Sequence, residues 1–176
     1  MHISSAARVL SVAILVSSAA AAMAEAPGDP KAVKQDDTGK YFDAKGDPTY
    51  DIKADGTLDW FSYSGFRRYH SECHVCHGPD GEGSTYAPAL KNSVKTLDYA
   101  EFIGTLVGGK RNVDSSQNLV MPAFADNKNV MCYADDIYVY LRARSTNAVP
   151  RGRPPGHVEK PQKAIEVESE CIGLHP

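Results

Sequence analysis

The sequence predicts an all-α domain, a few helices joined by long loops and wrapped around a bound group. Three observations predict it. Only three stretches carry helical periodicity. Eleven prolines and fourteen glycines are spread between them. Once its leader is removed the chain has about 150 residues, one domain's worth, yet so few packing elements leave it short of a core of its own.

Residues 1–24 hold one Arg (Arg8), an apolar run VLSVAILVSSAAAAMA and small residues around Ala22-Met23-Ala24. That is the layout of a signal peptide cleaved after Ala24. The apolar run falls short of the about 20 residues a membrane span needs, so no stable membrane insertion is expected, and the mature chain should be exported, soluble, periplasmic and monomeric. Residues 25–57 read as a polar arm with two Gly-Asp-Pro turns and, at YDIKADGTLDW (50–60), a small β-hairpin turning at Asp55-Gly56. The same stretch imitates a calcium loop through Asp51, Asp55, Gly56 and Asp59. Lys53 and Ser62 stand where a carboxylate ligand and the bidentate Glu would be needed, which favours a turn.

The core, 58–145, begins with a helix over about 59–75, with Asp59 as cap and Trp60, Tyr63, Phe66 and Tyr69 at helical spacing. A loop follows from Gly78 to Lys95. Asp98 and Glu101 make a capping box for DYAEFIGTLVGG, in which Phe102, Ile103 and Leu106 face inward and Gly108-Gly109 stops the helix. Another loop, containing Met121-Pro122, runs to about residue 131. The last core helix, YADDIYVYLRAR, spans about 133–144. Residues 146–176 form a Pro/Arg-rich tail ending near Cys171.

Chemistry concentrates in HSECHVCHGPDGEG, residues 70–83. Cys73-His74-Val75-Cys76-His77 is C-x-x-C-H, the attachment pattern of one covalent haem c. Two thiols three residues apart reach the two vinyl groups of one porphyrin, and the next imidazole falls under the iron. His77 is therefore the expected proximal ligand. His74 should point away, and His70 should pack. A zinc site from Cys73, Cys76 and His77 would want a fourth ligand, and a thioredoxin-like pair would want a βαβ setting. Met121, ahead of the rigid Pro122, is the candidate sixth ligand. Met131 reads as core, and His157 and His175 lie in the tail. An open sixth position would mean a five-coordinate haem enzyme or gas sensor, whereas His/Met ligation means a one-electron carrier and not an enzyme.

Cys132 and Cys171 remain. In an exported chain the leading reading is a disulfide that pins the tail; a redox-active or intermolecular cysteine is the alternative. Arg142, Arg144, Arg151 and Arg153 form a basic stretch that could steer docking, pair with haem propionates, or simply be solvated. The net charge of −3 argues against a nucleic-acid partner.

These residues resemble a class I cytochrome c. Gly65 and Tyr69 precede Cys73 at that family's spacing. Tyr140 matches the aromatic that packs on the glycine. Pro88 in YAPAL matches the proline whose carbonyl holds the haem histidine, with Leu90 against the porphyrin. Together GFRRYHSECHVCHGPDG, SxYAPAL, VMPAF, NVMCYADDIYVYLRAR and RGRP resemble a narrower family, the four-cysteine, methanol-metabolism-related c-type cytochromes. That resemblance implies a cytochrome c(L)-like acceptor of a PQQ methanol dehydrogenase, particularly the lanthanide-dependent kind, or of another quinoprotein alcohol dehydrogenase. It would pass electrons to a downstream cytochrome or oxidase of the respiratory chain.

Overall fold

The computed structural model describes residues 29–113 and 118–174. The leader and His175 lie outside them. The elements run β1 (Lys34–Gln35), β2 (Tyr41–Phe42), β3 (Pro48–Thr49), α1 (Trp60–Glu72), α2 (His74–His77), α3 (Leu90–Ser93), α4 (Tyr99–Gly108), β4 (Lys110–Val113), β5 (Asn118–Met121), α5 (Lys128–Met131), α6 (Ala134–Ser145) and α7 (Gln162–Ile172). The fold is mostly helical with two small antiparallel sheets. Among the described residues no helix is long and apolar enough to cross a membrane.

The centre is α6, buried along nearly its whole length, and α1 packs on it. The crossing is set by Gly65. A Cβ there would stand 1.9 Å from the Asp136 carbonyl oxygen and 2.8 Å from the Tyr140 Cβ. Only glycine allows the two backbones to come so close. Asp59 caps α1, its carboxylate accepting from the Ser62 N–H at 2.9 Å. The capping box at Asp98 and Glu101 starts α4, which buries Phe102 and Leu106 and closes at Gly109.

Three elements ahead of the tail differ from the sequence reading. First, Asp55-Gly56 does turn, with the Lys53 N–H donating to Thr57 O at 3.0 Å, but the flanking residues do not pair as a hairpin. Leu58 bridges to His157 of the tail instead. The small sheet lies upstream, where Lys34 pairs with Phe42 and Tyr41 with Thr49. Its turns are held by side chains. Asp36 Oδ1 accepts from the Thr38 and Lys40 N–H groups, and Asp43 Oδ1 from those of Lys45 and Asp47. Such Asx turns let two-residue strands form where no apolar period announces them. Second, the helix read over 59–75 is interrupted at Cys73, a turn residue whose φ of −112° is stretched from the usual helical value though still right-handed, and α2 follows as a separate turn. Third, β4 and β5 pair within the loop that carries Met121, with Lys110 opposite Met121.

The tail contains α7, which the sequence reading treated as irregular. Pro161 precedes it, and Gly173, left-handed at φ +82°, ends it. These are ordinary start and stop signals, masked by the acidic run between them. A disulfide joins Cys132, at the end of α5, to Cys171 in α7. The tail runs back along the start of α1: the Val158 N–H donates to Leu58 O at 2.9 Å, and the His157 ring stacks on Tyr63 at 3.6 Å.

Candidate haem centre

The last turn of α1 delivers the chain to Cys73, whose N–H donates to Tyr69 O at 2.9 Å. The single turn of α2 then carries Cys76 and His77. His77 is buried. Its Nδ1 lies 2.9 Å from Pro88 O. A carbonyl can only accept, so Nδ1 carries the proton and the neutral ring keeps its lone pair on Nε2. That bond fixes both the tautomer and the orientation of the ring, as such bonds do for metal-binding imidazoles.

The turn after His77 is built to stay in place. Gly78 has φ +71°, and a Cβ on it would sit 2.2 Å from Gly83 O. The buried Tyr69 hydroxyl donates to Gly78 O at 2.6 Å and accepts from the Gly81 N–H at 3.0 Å. Asp80, buried and at φ +56°, is a hub. Its Oδ1 accepts from Tyr140 at 3.3 Å and faces His70 Nε2 at 3.3 Å, while Oδ2 accepts from the Gly152 N–H at 3.2 Å. Arg144 of α6 donates to Asp80 O at 3.1 Å and to Glu82 at 2.8 Å. Sequence reasoning missed the Tyr69 hydroxyl and the Asp80 hub. The positive φ of Asp80 had a signal, an Asp-Gly pair following Pro79.

The two neighbouring histidines are otherwise engaged. His70 has Nδ1 at 2.8 Å from Phe66 O and Nε2 on Asp80. The His74 ring lies edge-on to His70 at 5.3 Å. Leu90, Tyr99, Ile103, Met121, Phe124 and Met131 are half-buried apolar side chains packed against the core. Met121 ends β5, and the segment after it is tied to α4 by the Phe124 N–H donating to Leu106 O at 2.8 Å.

The donor set fits a covalent haem better than its rivals. Among the described residues no three His, Cys, Asp or Glu side chains converge as a metal cluster, as a zinc site would require. Burial pushes the Cys73 thiol up to about 12, with Glu72 and Cys76 adding to it, the opposite of a reactive redox thiol. Neither Cys73 nor Cys76 is in a disulfide.

No family model matches the chain. The crystal structure of c-type cytochrome XoxG from Methylobacterium extorquens AM1 matches at 60% identity and a TM-score of 0.74, over 81% of this chain and 86% of that one. The chain belongs to the c-type cytochromes. This cytochrome therefore carries a covalently bound haem c. It is also 38% identical over 106 residues to cytochrome c-555 from Methylococcus capsulatus, covering 60% of this chain and 76% of that protein. Cytochrome c-553I from Paracoccus denitrificans is 52% identical over 136 residues, which span 77% of the cytochrome but only 60% of that relative's length.

Proposed function

We propose that this cytochrome is a periplasmic one-electron carrier between a PQQ methanol dehydrogenase, of the lanthanide-dependent kind, and a downstream cytochrome or oxidase. The observation that carries the reading is the His77 ring, buried and committed through Nδ1 to Pro88 O, next to two thiols free to hold a porphyrin.

Bound haem c supplies reversible one-electron iron chemistry. The chain's residues do the rest. Cys73 and Cys76 would hold the porphyrin, His77 Nε2 would ligate the iron, and Pro88 O, bonded to Nδ1, would raise the basicity of the ring. Leu90, half-buried against the core, would pack on the porphyrin. Met121 would supply a thioether ligand to the iron, which would raise the reduction potential and leave no position for a substrate. Beside Cys76, Val75 is 83% exposed and Tyr86 72% exposed. Apolar surface at the attachment side suits a transient docking contact, commonly below about 1,200 Å². Support for the donor comes from the four-cysteine pattern and the RGRP motif. In the fold that motif has a use: Gly152 donates to Asp80, three residues past His77.

The test is to mix oxidised cytochrome with PQQ methanol dehydrogenase and methanol, and to follow haem reduction by visible absorbance. Fast, saturable reduction, better with the lanthanide enzyme than the calcium one, is expected. No reduction, in a protein that dithionite still reduces, would show that the donor is wrong. A high-spin ferric spectrum would overturn the carrier in favour of a five-coordinate haem protein.

A further inference from the structure

Gly109 joins α4 to β4, and two constraints meet on it. Its φ of +68° and ψ of −174° lie in a region that is essentially glycine-only. A Cβ there would also stand 2.6 Å from Met121 O, 2.8 Å from Ala123 N and 2.9 Å from Pro122 C. All three are backbone atoms, so no rotamer change makes room. The neighbouring Gly108 is helical, and a Cβ on it meets nothing within 4 Å. A helix-ending glycine ordinarily answers only to the first constraint.

The segment pressed against Gly109 is the one that carries the assigned axial methionine. It is held to the end of α4 from both sides. Lys110 pairs with Met121 in the ladder, and the Phe124 N–H donates to Leu106 O. Between these ties the Met121–Ala123 backbone lies directly on the missing side chain.

We propose that Gly109 is a positioning residue for axial ligation: by having no side chain it seats the Met121–Ala123 backbone on the end of α4, and so fixes where the Met121 thioether stands. The inference rests on the reading of Met121 as the axial ligand. A side chain at 109 pushes that backbone outward and takes the thioether with it, while the His77–Pro88 bond, made in a different loop, is kept.

The experiment compares haem-loaded wild type with Gly109→Ala, Gly108→Ala and Met121→Ala. Two readouts are used, the ferric far-red absorption band of methionine–iron ligation and the reduction potential. Wild type and Gly108→Ala should show the band. Gly109→Ala should lose it, with helical circular dichroism unchanged and the potential shifted down toward that of Met121→Ala. A Gly109→Ala protein with the wild-type band and potential overturns the role of Gly109 while leaving Met121 as ligand. A wild type without the band, unchanged by Met121→Ala, removes the ligand and the positioning role together. Should Gly109→Ala not accumulate, Gly109→Asn replaces it. Asparagine carries the same Cβ and is enriched among non-glycine residues at positive φ, mainly at smaller ψ; helical circular dichroism identifies the folded fraction, in which band loss supports the proposal and band retention overturns it.

Discussion

At the scale of single residues, burial sets the chemistry more than identity does. Asp136 on α6 is buried against α1, and desolvation pushes its carboxyl up to about 7, with Lys40 and Ser64 pulling the other way and Asp135 and Glu168 adding to the rise. The unfolded chain has an ordinary aspartate near 3.8. Between those two values the folded state holds a proton that the unfolded state has released. Stability contributed by this group is therefore full below about pH 4 and falls as pH rises toward 7, by on the order of a few kcal/mol. Urea titrations across pH 4–7 should show that slope, and Asp136→Asn should flatten it. Gly65→Ala, at the same crossing, should cost at least about 2 kcal/mol by overpacking, read as a drop in Tm. The glycine was legible in the sequence through its spacing from Cys73. The protonation behaviour of Asp136 was not, because a charged letter in YADDIYVYL looks like a solvated face until α1 is laid over it.

At the scale of elements, the helices with caps were readable and the elements made by distant partners were not. Asp59 and Asp98 announce α1 and α4 through their own hydrogen bonds. The strands β1 to β3 are only two residues each, and β4–β5 is embedded in a loop with no apolar alternation. Only pairing defines them. The tail helix α7 buries little beyond Ala164, so its position depends on the bond from Cys171 to Cys132. Closing a loop with a sequence separation of 39 contributes about 4 kcal/mol in the chain-entropy account. A Cys132→Ser/Cys171→Ser variant should melt well below wild type, and limited proteolysis should then cut first between residues 150 and 174. Cleavage elsewhere would mean that the tail is held by its other ties to the body, among them Lys128 with Ile172 O and His157 with Tyr63.

At the scale of the whole molecule, the basic stretch divides into two kinds of arginine. The sequence reading kept solvation, docking and propionate pairing open for all four. Arg142 and Arg144 are 2% and 3% exposed. Arg142 holds Asp43 of the N-terminal sheet at 2.7 Å and Pro48 O at 3.2 Å. Arg144 holds the turn after His77. Both are struts that join the arm and the haem-side turn to α6, and periodicity could not reveal partners 99 and 64 residues away. Arg142→Ala should cost roughly 3–5 kcal/mol, since it leaves a buried carboxylate alone. A paired Arg142→Met/Asp43→Asn variant, which removes the charge but keeps the Oδ1 acceptor of the Lys45 and Asp47 N–H groups, should recover part of that. Arg151, its side chain 64% exposed and only 3.7 Å from Asp80 and 3.9 Å from Glu82, and the exposed Arg153 remain available to a partner. Charge reversal at both should raise the apparent KM for the cytochrome at low salt and lose its effect near physiological ionic strength, where screening acts over about 8 Å. An unchanged KM at low salt would remove the steering role.

The two cysteine pairs place opposite demands on maturation. Cys132 and Cys171 must be oxidised to close the tail. Cys73 and Cys76, as the proposed attachment pair, would have to be reduced at the moment they add across the porphyrin vinyls, since a sulfur tied up in a bridge cannot add. Four thiols allow three pairings, and the pair three residues apart is the quickest to meet. The cell that makes this protein must therefore deliver electrons to one end of the chain while withdrawing them from the other, and the order of those two events decides how much of the polypeptide ever becomes red.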